Sequence, residues 1–236
     1  MTARKIETVL ATLLIKSGQI VSVDQLVTEI WSQDPPRRAV NSVYVYISQL
    51  RKMLGRLSGE PRILTHAPGY SLDIHDEEFD LLIFQRLLAQ GRERARAGRH
   101  EAADRLFTEA LGLWRGPTLS GLYDGPVATS FAAWTEAMRM ECTENMIDSR
   151  LALGRHRELV GLLSNLISEF PLREGFYRQL MLTLERCERR ADALEVYQSA
   201  RRTLRGELGL APGPALQAVQ LSILRADDLV GAPVAA

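Results

Sequence analysis

Asn41, Tyr44, Ser48, Gln49 and Lys52 recur over a 14-residue stretch, Asn41 to Leu54, at a spacing that one face of a helix collects. Their chemistry is that of a surface that reads base edges. Carboxamides of Asn and Gln pair bidentately with adenine, a serine hydroxyl donates or accepts, and an apolar neighbour such as Val45 can meet a thymine methyl. Arg37, Arg38, Arg51 and Lys52 suit phosphates, which position a protein without specifying sequence. From Arg37 to Gly59 there are five basic residues and no acid, an imbalance that a phosphate backbone attracts. An ordinary solvated helix face can carry the same residues, so the stretch has to be placed among its neighbours.

Locally the stretch is ambiguous. Val43-Tyr44-Val45-Tyr46-Ile47 is unbroken β-branched and aromatic sequence, which favours a strand. Val40, Val43, Ile47, Leu50 and Leu54 fall instead at helical spacing. A strand would divide that apolar stripe between two faces, whereas a helix turns Val43, Ile47, Leu50 and Leu54 inward and Asn41, Tyr44, Val45, Ser48, Gln49 and Lys52 outward. Arg51 falls at the edge of the outer arc and Tyr46 at the edge of the inner one. Packing overrides propensity here, and a helix is expected.

The elements around it form a recognisable order. Lys5 to Ile15 is an amphipathic helix ended by Ser17-Gly18, and Gln19–Val21 is a short strand. Ser22 or Asp24 caps a second helix, Gln25 to Trp31, and Asp34-Pro35-Pro36 forbids helix before the third. Arg62–Thr65 and Tyr70–Ile74 make a hairpin whose Pro68-Gly69 suits a type II turn. Helix, strand, helix, rigid loop, helix, hairpin is the order of a winged helix-turn-helix. The tip, His66 to Tyr70, is expected to reach a neighbouring phosphate or minor groove.

After Asp76–Glu78 strand signals vanish, and helices are expected at 79–97, 100–114, 127–153, 156–170, 173–186, 191–206 and 214–225. Gly98-Arg99-His100 and Gly154-Arg155-His156 are the same turn, and Cys187-Glu188-Arg189-Arg190 follows the second at a spacing of 34 residues. That period, with small residues at helix crossings, belongs to tetratricopeptide-like hairpins. The fold class expected is mainly α: a winged helix over residues 1–75, an all-α TPR-like domain over 76–228 and a flexible tail over 229–236. Residues 1–75 carry 9 basic and 6 acidic side chains, so the zero net charge of the chain conceals a positive first domain.

Taken in order, Ser22-Val23-Asp24-Gln25-Leu26, Glu29-Ile30-Trp31, Asp34-Pro35-Pro36, Asn41-Ser42-Val43, Tyr46 to Lys52 and Pro68-Gly69-Tyr70 resemble the OmpR-type DNA-binding domain. With Leu113-Trp114-Arg115-Gly116, Pro171-Leu172-Arg173-Glu174, Val196-Tyr197-Gln198 and Glu207-Leu208-Gly209, the chain resembles the Streptomyces antibiotic regulatory protein (SARP) family and its bacterial transcriptional activation domain (BTAD). The resemblance runs from about Lys5 to Arg225. It implies a transcriptional activator that binds direct repeats near the −35 region of antibiotic gene clusters, two copies head-to-tail, and recruits RNA polymerase holoenzyme including sigma. It makes Asn41, Tyr44, Ser48 and Gln49 the base-facing set; residue chemistry and the hairpin tip put Arg37, Arg38, Arg51, Lys52, His66 and Tyr70 on phosphates. Asp34, Pro35 and Pro36 become polymerase-contact candidates, a role that competes for the adjacent arginines. Related domains often carry arginines at the positions of Ser48 and Gln49, so this chain departs there. The family also usually places a small antiparallel sheet before the first helix. Only four residues precede Lys5, so Ile6 and Leu10 are expected to lose that cover while the reading part persists.

Other chemistries have little support. His66, His75, His100 and His156 lack metal-ligand spacing, no Gly-rich phosphate loop occurs, and no cofactor or metal is expected. His100 and His156 are expected as caps or surface residues, Cys142 and Cys187 as small buried hydrophobes, and Trp114 and Trp134 as hairpin core. No run reaches membrane-span length and the two cysteines are far apart, so a reduced, cytoplasmic protein that is not an enzyme is expected. The alternatives are a helical-repeat adaptor with a vestigial winged helix, or a repressor of the same fold.

Overall fold

The computed structural model describes residues 2–58, 62–74, 79–121 and 125–230. The expected boundary at Asp76–Glu78, His75 and most of the tail lie outside the described residues. Contacts divide the chain into two compact units, the first holding residues 1–87 and 109–141, the second 88–108 and 142–236. Ten α-helices, one 3-10 helix (Thr118–Gly121) and three strands are described: α1 (Thr2–Ile15), β1 (Val21–Ser22), α2 (Val23–Trp31), α3 (Ala39–Ser58), β2 (Ile63–His66), β3 (Gly69–Leu72), α4 (Asp80–Arg96), α5 (His100–Gly112), α6 (Pro126–Ala152), α7 (His156–Glu169), α8 (Glu174–Arg186), α9 (Arg190–Leu208) and α10 (Pro214–Val230).

In the first unit, α1, α2 and α3 enclose a core of Val9, Leu13, Leu26, Val43, Tyr46, Ile47 and Leu50, closed by Val21, Ile63, Tyr70 and Leu72 of the strands. Thr8 and Thr12 are buried in α1, and their hydroxyls donate to the carbonyls of Arg4 and Thr8 one turn earlier. That satisfies polar groups which would otherwise be costly there. The second helix starts in a capping box: the Gln25 amide donates to Ser22 Oγ, and the Ser22 amide donates to Gln25 Oε1. Ile6 and Leu10 are partly buried against the core.

The sheet is antiparallel in the order β1-β3-β2, with Val21 opposite Tyr70 and Thr65 opposite Tyr70 on the other side. Its first strand is displaced from the expected Gln19–Val21, since Ile20 is half exposed and pairing begins at Val21. The hairpin turn is not type II. Ala67-Pro68 is a cis peptide bond, which places proline at the third position of a type VI turn. Gly69 is needed for a different reason than turn conformation. A Cβ there would collide with the Val21 carbonyl of the neighbouring strand.

The third helix is continuous through the β-prone run. Its buried stripe differs from the expected one in detail: Ala39 is buried, whereas Val40 is 41 % exposed. Tyr46 is buried, its ring stacked on Trp31 with centroids 6.4 Å apart, and Lys5 Nζ sits 4.7 Å from the Trp31 ring. The edge residue is therefore the joint between α2 and α3.

Within the second unit, α8 packs on α7, α9 and α10 and buries Phe176, Tyr177, Leu180, Met181 and Leu184. The turns anticipated as equivalent are so in backbone detail. Gly98, Gly154 and Glu188 all have left-handed φ. After each, an arginine amide donates back five residues: Arg99 to Arg94 O, Arg155 to Arg150 O and Arg189 to Leu184 O, at 2.9–3.0 Å. This is the Schellman closure of α4, α6 and α8, alternate helices of the chain. Asp104 receives Arg150 Nε at 2.7 Å and Arg155 Nη1 at 2.8 Å, tying α5 to α6 and to the turn before α7. Cys142 is buried as expected but Cys187 is only partly so. Trp134 of the first unit is 44 % exposed and is not core. His100 and His156 open α5 and α7, and the α7 cap, Arg155, makes no side-chain capping bond.

Candidate nucleic-acid interface

The outer face of α3 assembles from the period of the helix alone. Residues 39, 43, 46, 47 and 50 face the core, so residues 41, 44, 45, 48, 49 and 52 must face away. All six are exposed, Tyr44 to 49 % and Val45 to 52 %. Asn41, Tyr44, Ser48 and Gln49 thus share one solvent-facing arc on a 20-residue helix that contains no acidic residue. Arg37 and Arg38 are exposed on the loop that enters α3, and Lys52 continues the arc toward its C-terminal end. Asp34, Pro35 and Pro36 are exposed on the same loop, which spans the residues between α2 and α3.

Two of the expected phosphate ligands are otherwise occupied. Arg51 turns to the hairpin: Nε and Nη2 both donate to the Ile63 carbonyl, at 3.1 and 2.9 Å, and Nη2 also donates to Thr65 Oγ1 at 2.7 Å. Its guanidinium lies 5.6 Å from the Tyr70 ring centroid. The residue clamps the wing to α3. Tyr70 is only 9 % exposed, because the middle strand directs its ring into the core. It is removed from the phosphate set on that ground. His66, at the end of β2, is exposed at the hairpin tip.

One buried carboxylate escaped sequence reasoning. Glu29 sits in α2 and is 1 % exposed. Its carboxylate accepts from the Val127 amide at 2.7 Å and from the Ala128 amide at 3.4 Å, in the first turn of α6. Gly125, just before that turn, lies so close that a Cβ would collide with the Glu29 carboxylate. A carboxylate at a helix N-terminus satisfies orphan amides and opposes the helix dipole. Nothing local in Glu29-Ile30-Trp31 announces a partner about a hundred residues away; only the Gly125-Pro126 pair, glycine then proline at a helix start, was available as a signal.

Comparison with known proteins places both halves. Residues 2–72 match the family described as transcriptional regulatory protein, C terminal, and residues 79–224 match the bacterial transcriptional activator domain. The regulatory protein DnrI of Streptomyces peucetius is 34% identical over 95% of this chain and 85% of its own length. The transcriptional regulatory protein EmbR of Mycobacterium tuberculosis is 37% identical over 94% of the chain and 58% of its own. The regulatory protein AfsR of Streptomyces griseus is 35% identical over 95% of the chain. The chain spans just over half of EmbR and about a fifth (22%) of AfsR. A solved structure of M. tuberculosis EmbR in complex with a low affinity phosphopeptide superposes with a TM-score of 0.90, at 35% identity over 94% of this chain and 59% of that one.

Proposed function

The chain belongs to the SARP-type transcriptional regulators, which join an OmpR-type winged helix to a bacterial transcriptional activator domain, and from that premise we propose that it activates a secondary-metabolite gene cluster by reading direct repeats near the −35 element. It is a regulator and not an enzyme. The observation that carries the reading is the α3 arc: polar, acid-free and turned directly away from the core, with basic residues at both ends.

In this reading α3 lies in the major groove. Asn41, Tyr44, Ser48 and Gln49 meet base edges, while Arg37, Arg38, Lys52 and His66 hold phosphates on either side. Arg51 holds the wing so that His66 stays beside the helix. The reading module extends to residue 75 and the helical module over 76–228, followed by a short tail. Two copies bind head-to-tail on successive repeats, and the loop bearing Asp34, Pro35 and Pro36 faces polymerase holoenzyme, sigma included. No described helix is long and apolar enough to cross a membrane; a cytoplasmic location belongs to the same reading through the regulator family.

Footprinting of the purified chain on DNA flanking its own gene tests the first half of this reading, and transcription with purified polymerase tests the second. A protected repeated motif beside −35 and stimulation that depends on it are the expected results. Protection without stimulation sinks the activator claim, and protection of random DNA at equal affinity sinks base reading.

A further inference from the structure

The Glu29 carboxylate joins α2 of the winged helix to the first turn of α6 in the activator domain, and these two segments lie within the first compact unit. We propose that Glu29 is a positioning residue that makes the reading helix and the part of α6 within the first unit, residues 126–141, move as one body, so that its loss separates promoter occupancy from promoter output. The inference rests on the regulatory reading above and names the residue that links its two halves.

The chain of contacts is short and continuous. Val127 and Ala128 donate to Glu29, Glu29 and Trp31 stand two residues apart on α2, and Trp31 stacks on Tyr46 of α3. Tyr46 is one residue from Val45 and two from Tyr44, both on the outward arc. Burial makes the link stiff. At 1 % exposure Glu29 is shut off from bulk solvent, so a small slip of α6 that breaks these bonds without opening the site would leave a buried carboxylate and two helix-end donors unpaired. The other side is equally constrained. Gly125 leaves room for the carboxylate that no other residue would leave, and Ala128 is itself buried to 2 %. A residue serving only the winged helix would have no reason to place a charge at this spot, since Leu26, Val27 and Ile30 already pack its core.

The test uses the full chain with Cys187 replaced by serine, Cys142 being fully buried, and spin labels at exposed positions 53 and 133. A second label pair, at 53 and 64, reports on the winged helix alone. Glu29→Gln removes the charge, and Gly125→Ala displaces the carboxylate from the opposite side. Both variants should broaden the 53–133 distance distribution while the 53–64 distribution stays as in the parent. Both should saturate promoter DNA at the parent's affinity, yet at saturation stimulate transcription about tenfold less, the order of a coupling between two sites. A 53–133 distribution that stays narrow in both variants overturns the proposal. So does a loss of transcription that follows loss of DNA binding and is restored by adding more protein, since that is the mark of a merely stabilising residue. If the parent chain itself stimulates nothing, the activator reading falls, and the distance measurements alone decide whether Glu29 holds the two helices together.

Discussion

Arg51→Ala separates a phosphate ligand from a wing clamp. The substitution removes two donations to the Ile63 carbonyl, one to Thr65 Oγ1, and the contact with the Tyr70 ring. A hydrogen bond from a charged donor is worth about 1.5–3 kcal/mol when buried, and Arg51 is only partly so. Discounted for solvent, the forked bond contributes about 1 kcal/mol, the threonine bond about 0.5 and the ring contact about 0.5, or about 2 kcal/mol together. All three tryptophans, Trp31, Trp114 and Trp134, lie in the first unit, so indole emission during urea titration reports that unit's stability without interference from the second. A loss of about 2 kcal/mol is expected for Arg51→Ala, and most of it should persist in Arg51→Lys, because an ammonium cannot reproduce the planar fork. The salt dependence of DNA binding should be unchanged in both. An alanine variant of parental stability whose log K against log salt slope falls by about 0.9, the signature of one lost phosphate contact, would refute the clamp. Restoration by lysine would point the same way.

Lys52→Ala should weaken binding to specific and random duplexes alike and lower that same slope by about 0.9, measured by fluorescence anisotropy over a salt series. Asn41→Ala or Gln49→Ala should instead cost about 1–3 kcal/mol at particular base pairs only, read by competition with single-base variants of the footprinted site. Gly69→Ala should destabilise the first unit by about 2–3 kcal/mol, since the new methyl meets strand backbone rather than a yielding side chain; indole-monitored urea unfolding checks it. Asp104→Asn leaves Arg150 and Arg155 facing a neutral amide. The 3–5 kcal/mol of a fully buried broken pair shrinks to about 2 kcal/mol here because Arg155 keeps much of its solvent, and thermal melting by circular dichroism should show it.

Much of this molecule was legible from periodicity. The buried members of α3 repeat with the helical period although five consecutive residues prefer strands, and that repeat also set which side chains face outward. The cap of α2, at Ser22 rather than the other candidate Asp24, and the equivalent turns at Gly98 and Gly154 were readable because each is closed by residues within six positions of one another. The details that went astray depend on neighbours distant in the chain. Val40 fits the apolar spacing as well as Ala39, but only α1 and α2 decide which side of the helix start is covered. Trp134 has the composition of a core residue on a helix that leaves it half exposed.

Residue types and their spacing were enough to determine a winged helix followed by helical hairpins, and an outward polar arc free of acidic residues on its third helix. They suffice because a helix face is a local property, fixed by rotation per residue. Tertiary structure alone decided that Arg51 serves the wing, that Tyr70 is core, that Tyr46 stacks on Trp31, and that Glu29 caps a helix nearly a hundred residues away. An arginine, a tyrosine or a glutamate carries the same chemistry toward solvent, phosphate or protein. Which partner it meets depends on the three-dimensional distances that folding sets.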